Sequence, residues 1–78
     1  MEKEINVNGR TFKVRELKAI ELDDIDWTDK KTAIKKQVMI STGMSEEVYI
    51  GLTVKERLAI VKAINEINGF EDFQKPAN

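Results

Sequence analysis

Residues 53–69 read Thr-Val-Lys-Glu-Arg-Leu-Ala-Ile-Val-Lys-Ala-Ile-Asn-Glu-Ile-Asn-Gly, and this stretch decides the fold. It predicts a helix whose start and end are both marked in the sequence. Thr53 and Glu56 have the spacing of a capping box, in which each side chain accepts a hydrogen bond from a backbone N–H left free at the helix start. Asn68-Gly69 ends the helix, because glycine tolerates the left-handed conformation that closes one.

The apolar arc of this helix is wider than a surface helix needs. At about 100° per residue it covers roughly 180° of the circumference, against roughly 100° for an ordinary surface helix. Its residues are Val54, Leu58, Ile60, Val61, Ile64 and Ile67. The helix is therefore either central to its own core or shared with a partner.

Residues 3–15 predict a β-hairpin. Asn8-Gly9 readily takes the positive φ angles of a two-residue type I′ turn, and such a turn fixes the strand register. The resulting pairs are Val7 with Arg10, Ile5 with Phe12, and Lys3 with Val14. The apolar members of these pairs share one face, so the hairpin must lie on something, since two isolated strands are marginal in water.

Shorter helices are predicted between the hairpin and the last helix. We expect one or two turns within residues 17–22, a longer helix from about Lys30 to Ser41 that ends at Thr42-Gly43, and a short turn over residues 45–50. The inner side of the longer helix is predicted to be Ala33, Ile34, Val38 and Ile40. Trp27, Tyr49 and Phe70 are expected to contact the core or a helix end.

These elements predict an α+β fold, with an N-terminal two-stranded β-hairpin packed on a small helical bundle of two main helices and one or two short ones. Residues 1–73 are expected to form a single domain. Residues 74–78 contain Pro76 and polar side chains, so a frayed end is expected there.

The composition argues against catalysis. The 78 residues contain neither His nor Cys, which removes the commonest general base, the thiol nucleophile and nearly every zinc site. An EF-hand interpretation of residues 23–29 also fails, because a loop that starts at Asp24 places Asp29 and Lys35 where glycine and glutamate are required. We expect no enzyme activity, no cofactor and no metal site.

The charge and hydropathy pattern bounds the partners. The formal net charge is −1, from 13 basic and 14 acidic residues, so no field attracts nucleic acid or an anionic membrane over distance. No apolar run approaches the roughly 18 residues of a membrane span, and the N-terminus has no signal-peptide core. We expect a cytoplasmic protein.

Residues 37–48 raise the alternative of DNA binding, because they are similar to the turn of a helix-turn-helix. Two features argue against it. The second helix would open with Glu46 and Glu47, facing phosphates with negative charge, and it offers no Arg, Lys, Asn or Gln to read base edges. Nucleic acid is therefore an unfavoured partner.

Three short stretches carry a resemblance to a known family. They are Lys-Val-Arg-Glu-Leu at 13–17, Ser-Thr-Gly-Met-Ser-Glu-Glu at 41–47, and Ala-Ile-Asn-Glu-Ile-Asn-Gly-Phe at 63–70. With the order of elements around them, over residues 3–73, the chain resembles the small tail assembly chaperones of tailed phages and prophages. The resemblance implies a non-catalytic protein that binds the tape measure protein in the host cytoplasm and keeps it soluble during tail assembly.

A chaperone for a long helical client needs an apolar surface that receives amphipathic helices. We predict that Ile60, Ile64, Ile67 and Phe73 are shared between the core and either the client or a second copy of the chain, and that the uncovered side of the last helix lies toward them. The alternative is that all four belong to the core. A generic regulatory interaction module remains the second functional hypothesis, and the helix-turn-helix-like DNA binder the third.

Overall fold

Two antiparallel strands and four helices make up residues 1–70, the segment of the chain that the computed structural model describes. In chain order they are β1 (Glu2–Val7), β2 (Arg10–Arg15), α1 (Ala19–Leu22), α2 (Lys30–Thr42), α3 (Glu46–Ile50) and α4 (Val54–Asn68). The predicted α+β class and the hairpin-on-bundle arrangement are confirmed. Phe73, the predicted domain boundary and residues 74–78 lie outside the described residues.

The helix α4 is the element on which the others pack. It contacts both strands and α2, while α2 also contacts β2 and α3. The core cluster between these elements consists of Val7, Phe12, Val14, Leu17, Val38, Ile60, Ala63 and Ile64. The packing order, which the sequence could not give, therefore places the hairpin and α2 on one side of α4.

The hairpin forms with the predicted turn and register. Asn8 and Gly9 have φ angles of 52° and 90°, as a type I′ turn requires. The pairing of Val7 with Arg10 and of Ile5 with Phe12 is confirmed. Burial of the apolar face follows from this register, because side chains alternate between the two faces of a strand.

Both ends of α4 have the predicted caps. The Thr53 hydroxyl accepts from the Glu56 N–H at 3.1 Å, and the Glu56 carboxylate accepts from the Thr53 N–H at 2.9 Å. Gly69 ends the helix with φ 72°. The Phe70 N–H donates to the Asn65 carbonyl at 2.9 Å, which is the long bond of a Schellman motif, and Phe70 folds back on the core as expected.

The same two ends of α4 are bonded to the N-terminal region of the chain. At the start, Arg10 pairs with the buried Glu56 carboxylate at 3.1 Å. At the end, the Leu17 N–H donates to the Asn68 side-chain oxygen at 2.8 Å, and Lys3 pairs with Glu66 at 2.5 Å. The hairpin is therefore held over the full length of α4.

Helix α2 begins and ends as predicted, but its inner side differs from the expectation. Asp29 caps its start, Gly43 ends it with φ 73°, and Ala33 and Val38 are buried. Ile34 and Ile40 are only half-buried, whereas Gln37 and Ser41 are buried. Gln37 and Ser41 follow Ala33 at intervals of four residues and so share its side of the helix, which apolar character alone did not indicate.

Ser41 provides a test of this correction. Its hydroxyl oxygen is buried and has no hydrogen-bond partner among residues 1–70. A desolvated hydroxyl without a partner costs free energy, so Ser41→Ala should raise the free energy of unfolding by about 1 kcal/mol, measured by urea denaturation. Ser45→Ala is the matched control: it removes the cap of α3 and should lower stability by about 1 kcal/mol. A loss of stability in Ser41→Ala would show that the hydroxyl has a partner.

The burial of α4 gives a second stability prediction. Ile60 is 0% exposed, whereas Leu58, two residues earlier, is 62% exposed. Ile60→Ala should cost about 2–5 kcal/mol because it leaves a cavity in the core. Leu58→Ala should change the free energy of unfolding by less than about 0.5 kcal/mol. Equal losses in urea denaturation would contradict the division of α4 into a buried and an exposed side.

Candidate partner-binding surface

The apolar arc of α4 is divided into a buried region and an exposed region. Ile60 and Ile64 are fully buried, whereas Val54 is 67% exposed and Leu58 is similarly open. The exposed pair lies about 120° around the helix axis from the buried pair. Val61 is half-buried, and it continues the exposed region beside Leu58 in the following helical turn.

This division corrects the prediction about the uncovered side of α4. Its most exposed residues are Val54 and Leu58, whereas Ile60 is fully buried, and Ile67 is half-buried as Val61 is. The hairpin and α2 cover the side of α4 that carries Ile60. The apolar residues of the arc that these elements do not cover are therefore exposed on another side of the helix.

Two of the four predicted partner-binding residues are fully buried. Ile60 and Ile64 have no exposed surface, Ile67 is half-buried, and Phe73 lies outside the described residues. Their role in binding a partner stays a prediction. In this conformation, the side chains of Ile60 and Ile64 are not accessible to a partner.

Neighbouring elements extend the exposed region of the arc. Ile50 at the end of α3 is 73% exposed, and Trp27 in the connection between α1 and α2 is 53% exposed. Ile34 of α2 and Tyr49 of α3 are half-buried beside them. We call the whole set the apolar strip: Trp27, Ile34, Tyr49, Ile50, Val54, Leu58 and Val61.

Three grooves make most of the apolar strip continuous. The first, of about 430 Å³, lies between α2 and α4 and includes Trp27, Ile34 and Val61. The second, of about 420 Å³, shares Ile34 and adds Tyr49 and Arg57. The third, of about 160 Å³, shares Tyr49 and Arg57 and reaches Ile50 and Val54. Leu58 lies one helical turn beyond Val54.

The loop around Trp27 is held by hydrogen bonds to one carboxylate. The Asp26 carboxylate accepts from the Thr28 N–H at 3.0 Å and from its hydroxyl at 2.5 Å, forming an Asx turn around Trp27. Ile25, the residue before Asp26, is only 5% exposed and anchors this side of the turn. The indole is thus presented at the surface by a fixed loop before α2, and of the two expected environments, the core or a helix end, the core is excluded.

Two further carboxylates fix the ends of this loop. Glu21 receives two hydrogen bonds from Arg15, at 3.0 and 2.6 Å, and this contact lowers the pKa of Glu21 to about 2. Asp29 accepts from the hydroxyl and N–H of Thr32, which lowers the pKa of its carboxyl. The pKa of Asp26 is lowered by the Thr28 hydroxyl in the same way. Ionised carboxylates therefore hold the loop at neutral pH.

Basic side chains border the apolar strip. Lys30 lines the first groove, and Lys31, Lys35 and Arg57 line the second. No carboxylate of residues 1–70 lines any of the three grooves. The charged side chains that line the three grooves are therefore all cationic, although the chain as a whole carries −1 and Asp26, Asp29 and Glu46 lie nearby.

The helix-turn-helix-like segment at residues 37–48 adds no support for DNA binding. The turn is present, with Gly43 in the left-handed conformation and Ser45 capping α3. However, α3 has only 5 residues, its first turn carries Glu46 and Glu47, and Glu46 pairs with Lys35.

Comparison of the chain with protein-family models, with curated proteins and with solved structures gave no match. Within residues 1–70, none of the helices is both long and apolar enough to cross a membrane. The same residues contain no grouping of three or more carboxylate, thiol or imidazole side chains arranged to hold a metal ion.

The lowered pKa values give a pH prediction for Trp27, the one tryptophan of the chain. A carboxyl with a depressed pKa stabilises the fold fully above its ordinary pKa, which for Glu21 is 4.5, and loses this contribution as the pH falls toward about 2. Tryptophan emission should therefore shift between about pH 4.5 and 2.

The control for this titration is the double variant Asp26→Asn and Asp29→Asn. Asparagine keeps the accepting oxygen but does not titrate, so the emission shift should be smaller than in the original chain. Far-UV circular dichroism recorded in parallel separates loop release from global unfolding. An equal shift in the double variant would rule out these two carboxylates as the cause.

Proposed function

We propose that the protein is a non-catalytic binding protein that holds a helical segment of a protein partner on the apolar strip. The observation that carries this proposal is the exposure of Val54 and Leu58 on a helix whose opposite side forms the core. Contiguous apolar exposure on a small domain is typical of protein-binding sites. The exposed side chains of Ile50 and Trp27 extend this apolar surface beyond α4.

The chemistry of the surface supports binding rather than catalysis. The sequence supplies no His or Cys, and the side chains that line the grooves of the strip are aliphatic, aromatic, cationic, or neutral hydroxyl and amide groups. The buried carboxylate of Glu56 is engaged by Arg10 and by the Thr53 N–H, so it has a structural role. The groove side chains thus suit recognition of shape and apolar area, while Glu56 stabilises the fold.

The resemblance to tail assembly chaperones suggests the identity of the partner. We propose the tape measure protein as the client, bound in the host cytoplasm while the tail is assembled. A long helical protein exposes amphipathic segments before assembly, and the apolar strip offers a groove that receives one such segment. The supporting observation is the groove of about 430 Å³ between α2 and α4, which is large enough for an apolar side chain of such a segment.

The test is co-expression with a candidate tape measure protein, with client solubility as the measurement. The original chain should raise the soluble fraction of the client, and Leu58→Asp should abolish the effect because it places a charge in the apolar strip. Ile20→Asp is the matched control, since Ile20 is 68% exposed on α1 and outside the strip. Thermal melting should show that both variants fold.

Two results would count against the proposal. Full activity of Leu58→Asp would remove the apolar strip as the binding site. An unchanged soluble fraction of the client with the original chain would remove the tape measure protein as the partner tested.

A further inference from the structure

We infer that the segment bound on the apolar strip is an acidic amphipathic helix of about four turns, whose carboxylates pair with the cations on both sides of the strip. This inference rests on the proposed function and adds the charge and the length of the partner. It follows from the distribution of charge around the strip, from the depth of the grooves and from the length of the exposed apolar surface.

One row of cations lies along the groove between α2 and α4. Lys30 lines the groove beside Trp27, and Lys31 and Arg57 line the next groove. None of these three cations forms an ion pair with a carboxylate of residues 1–70. Lys35, in the same groove, is already paired with Glu46. Three charges thus line the strip without a short ion pair in the described segment of the chain, although Lys31 adds to the lowering of the Asp29 pKa that Thr32 mainly causes.

A second row lies on the other side of Leu58. Lys55 precedes Leu58 by three residues and Lys62 follows it by four, so both are its neighbours on the helix surface. Both lysines are exposed. Glu66, the acidic residue one turn beyond Lys62, is paired with Lys3 at 2.5 Å, and its pKa is lowered mainly by Lys3 and to a smaller extent by Lys62. The exposed apolar residues of α4 therefore lie between two rows of positive charge.

The length of the strip sets the length of the partner. Val54 to Val61 spans about 10 Å along α4 at about 1.5 Å per residue. The grooves at Ile50 and Trp27 extend this surface at its two ends. A partner helix of about 14 residues, or about 21 Å, covers the strip with apolar side chains at intervals of three and four residues.

The groove at Trp27 is the best place for an anchoring side chain of the partner. Its volume of about 430 Å³ accepts a leucine or phenylalanine side chain. Its lining combines the indole with the aliphatic Ile34 and Val61 and with the side chain of Gln37. Large apolar side chains in such pockets dominate the affinity of protein interfaces.

The shape of the surface favours a helix over the two other anionic partners. Ile34 and Val61 are half-buried within the groove, so a narrow ridge of side chains reaches them more readily than a flat bilayer surface does. A phosphate backbone would pair with the lysines but leave Val54, Leu58 and Ile50 exposed to water. Only a partner with apolar and acidic groups on one narrow element satisfies both features of the surface.

The test uses two synthetic helical peptides of 14 residues that share the same leucines. One carries glutamate at the flanking positions and the other carries lysine. Neither contains tryptophan, so the emission of Trp27 reports binding to the 78-residue chain. The acidic peptide should bind at least about tenfold more tightly at low salt, because about three added ion pairs of modest strength favour it. This preference should decrease as salt is raised.

Charge-reversal variants assign the preference to the rows of cations. Lys30→Glu combined with Arg57→Glu should reduce the preference for the acidic peptide, while Lys31, Lys55 and Lys62 retain part of it. Lys13→Glu is the matched control, because Lys13 is exposed on the hairpin and away from the strip. This control should bind both peptides as the original chain does. Leu58→Asp should weaken the binding of both peptides.

The outcomes separate the inference from the proposed function. Equal affinity for the two peptides, or an unchanged preference in the double charge reversal, would overturn the acidic partner while leaving the strip as a binding site. Unaltered binding of both peptides by Leu58→Asp would overturn the strip itself. Tighter binding to phosphatidylserine vesicles or to a DNA duplex than to the acidic peptide, measured by the same emission, would also overturn the acidic helix.

Discussion

The packing of Ile60 and Ile64 beneath the hairpin is the contact on which the rest of the structure depends. Both side chains are fully buried, and they meet the apolar face that the hairpin cannot bury by itself. A chain of 78 residues has few elements with which to surround a helix. Once the hairpin and α2 occupy one side of α4, Val54 and Leu58 have no element of residues 1–70 to cover them.

Polar contacts decide how this small core is held in place. The Glu56 carboxylate has two structural roles. It caps the start of α4, and it pairs with Arg10 at the end of the hairpin turn. Two aspartates fix the loop that carries Trp27. Asp26 forms an Asx turn within the loop, and Asp29 caps α2 at its end. Without disulfides, these contacts supply the local order that a larger core would otherwise provide.

Local chemistry made much of the fold predictable. The Asn8-Gly9 turn fixes a register, and Thr53 and Gly69 mark the ends of a helix, because each acts within a few residues. The uncovered side of α4 could not be predicted, since it depends on where distant elements pack. The exposure of Trp27 was missed for the same reason: an isolated tryptophan in a loop is as compatible with a core contact as with a surface.

The bonds that join the hairpin to α4 have a consequence for the order of folding. Arg10 and Glu56 are 46 residues apart, Leu17 and Asn68 are 51 apart, and Lys3 and Glu66 are 63 apart. Contacts of such high sequence separation require the closure of long loops, which slows folding. During synthesis the hairpin emerges before α4, so the hairpin has no support from this helix until residues 54–68 have also been made.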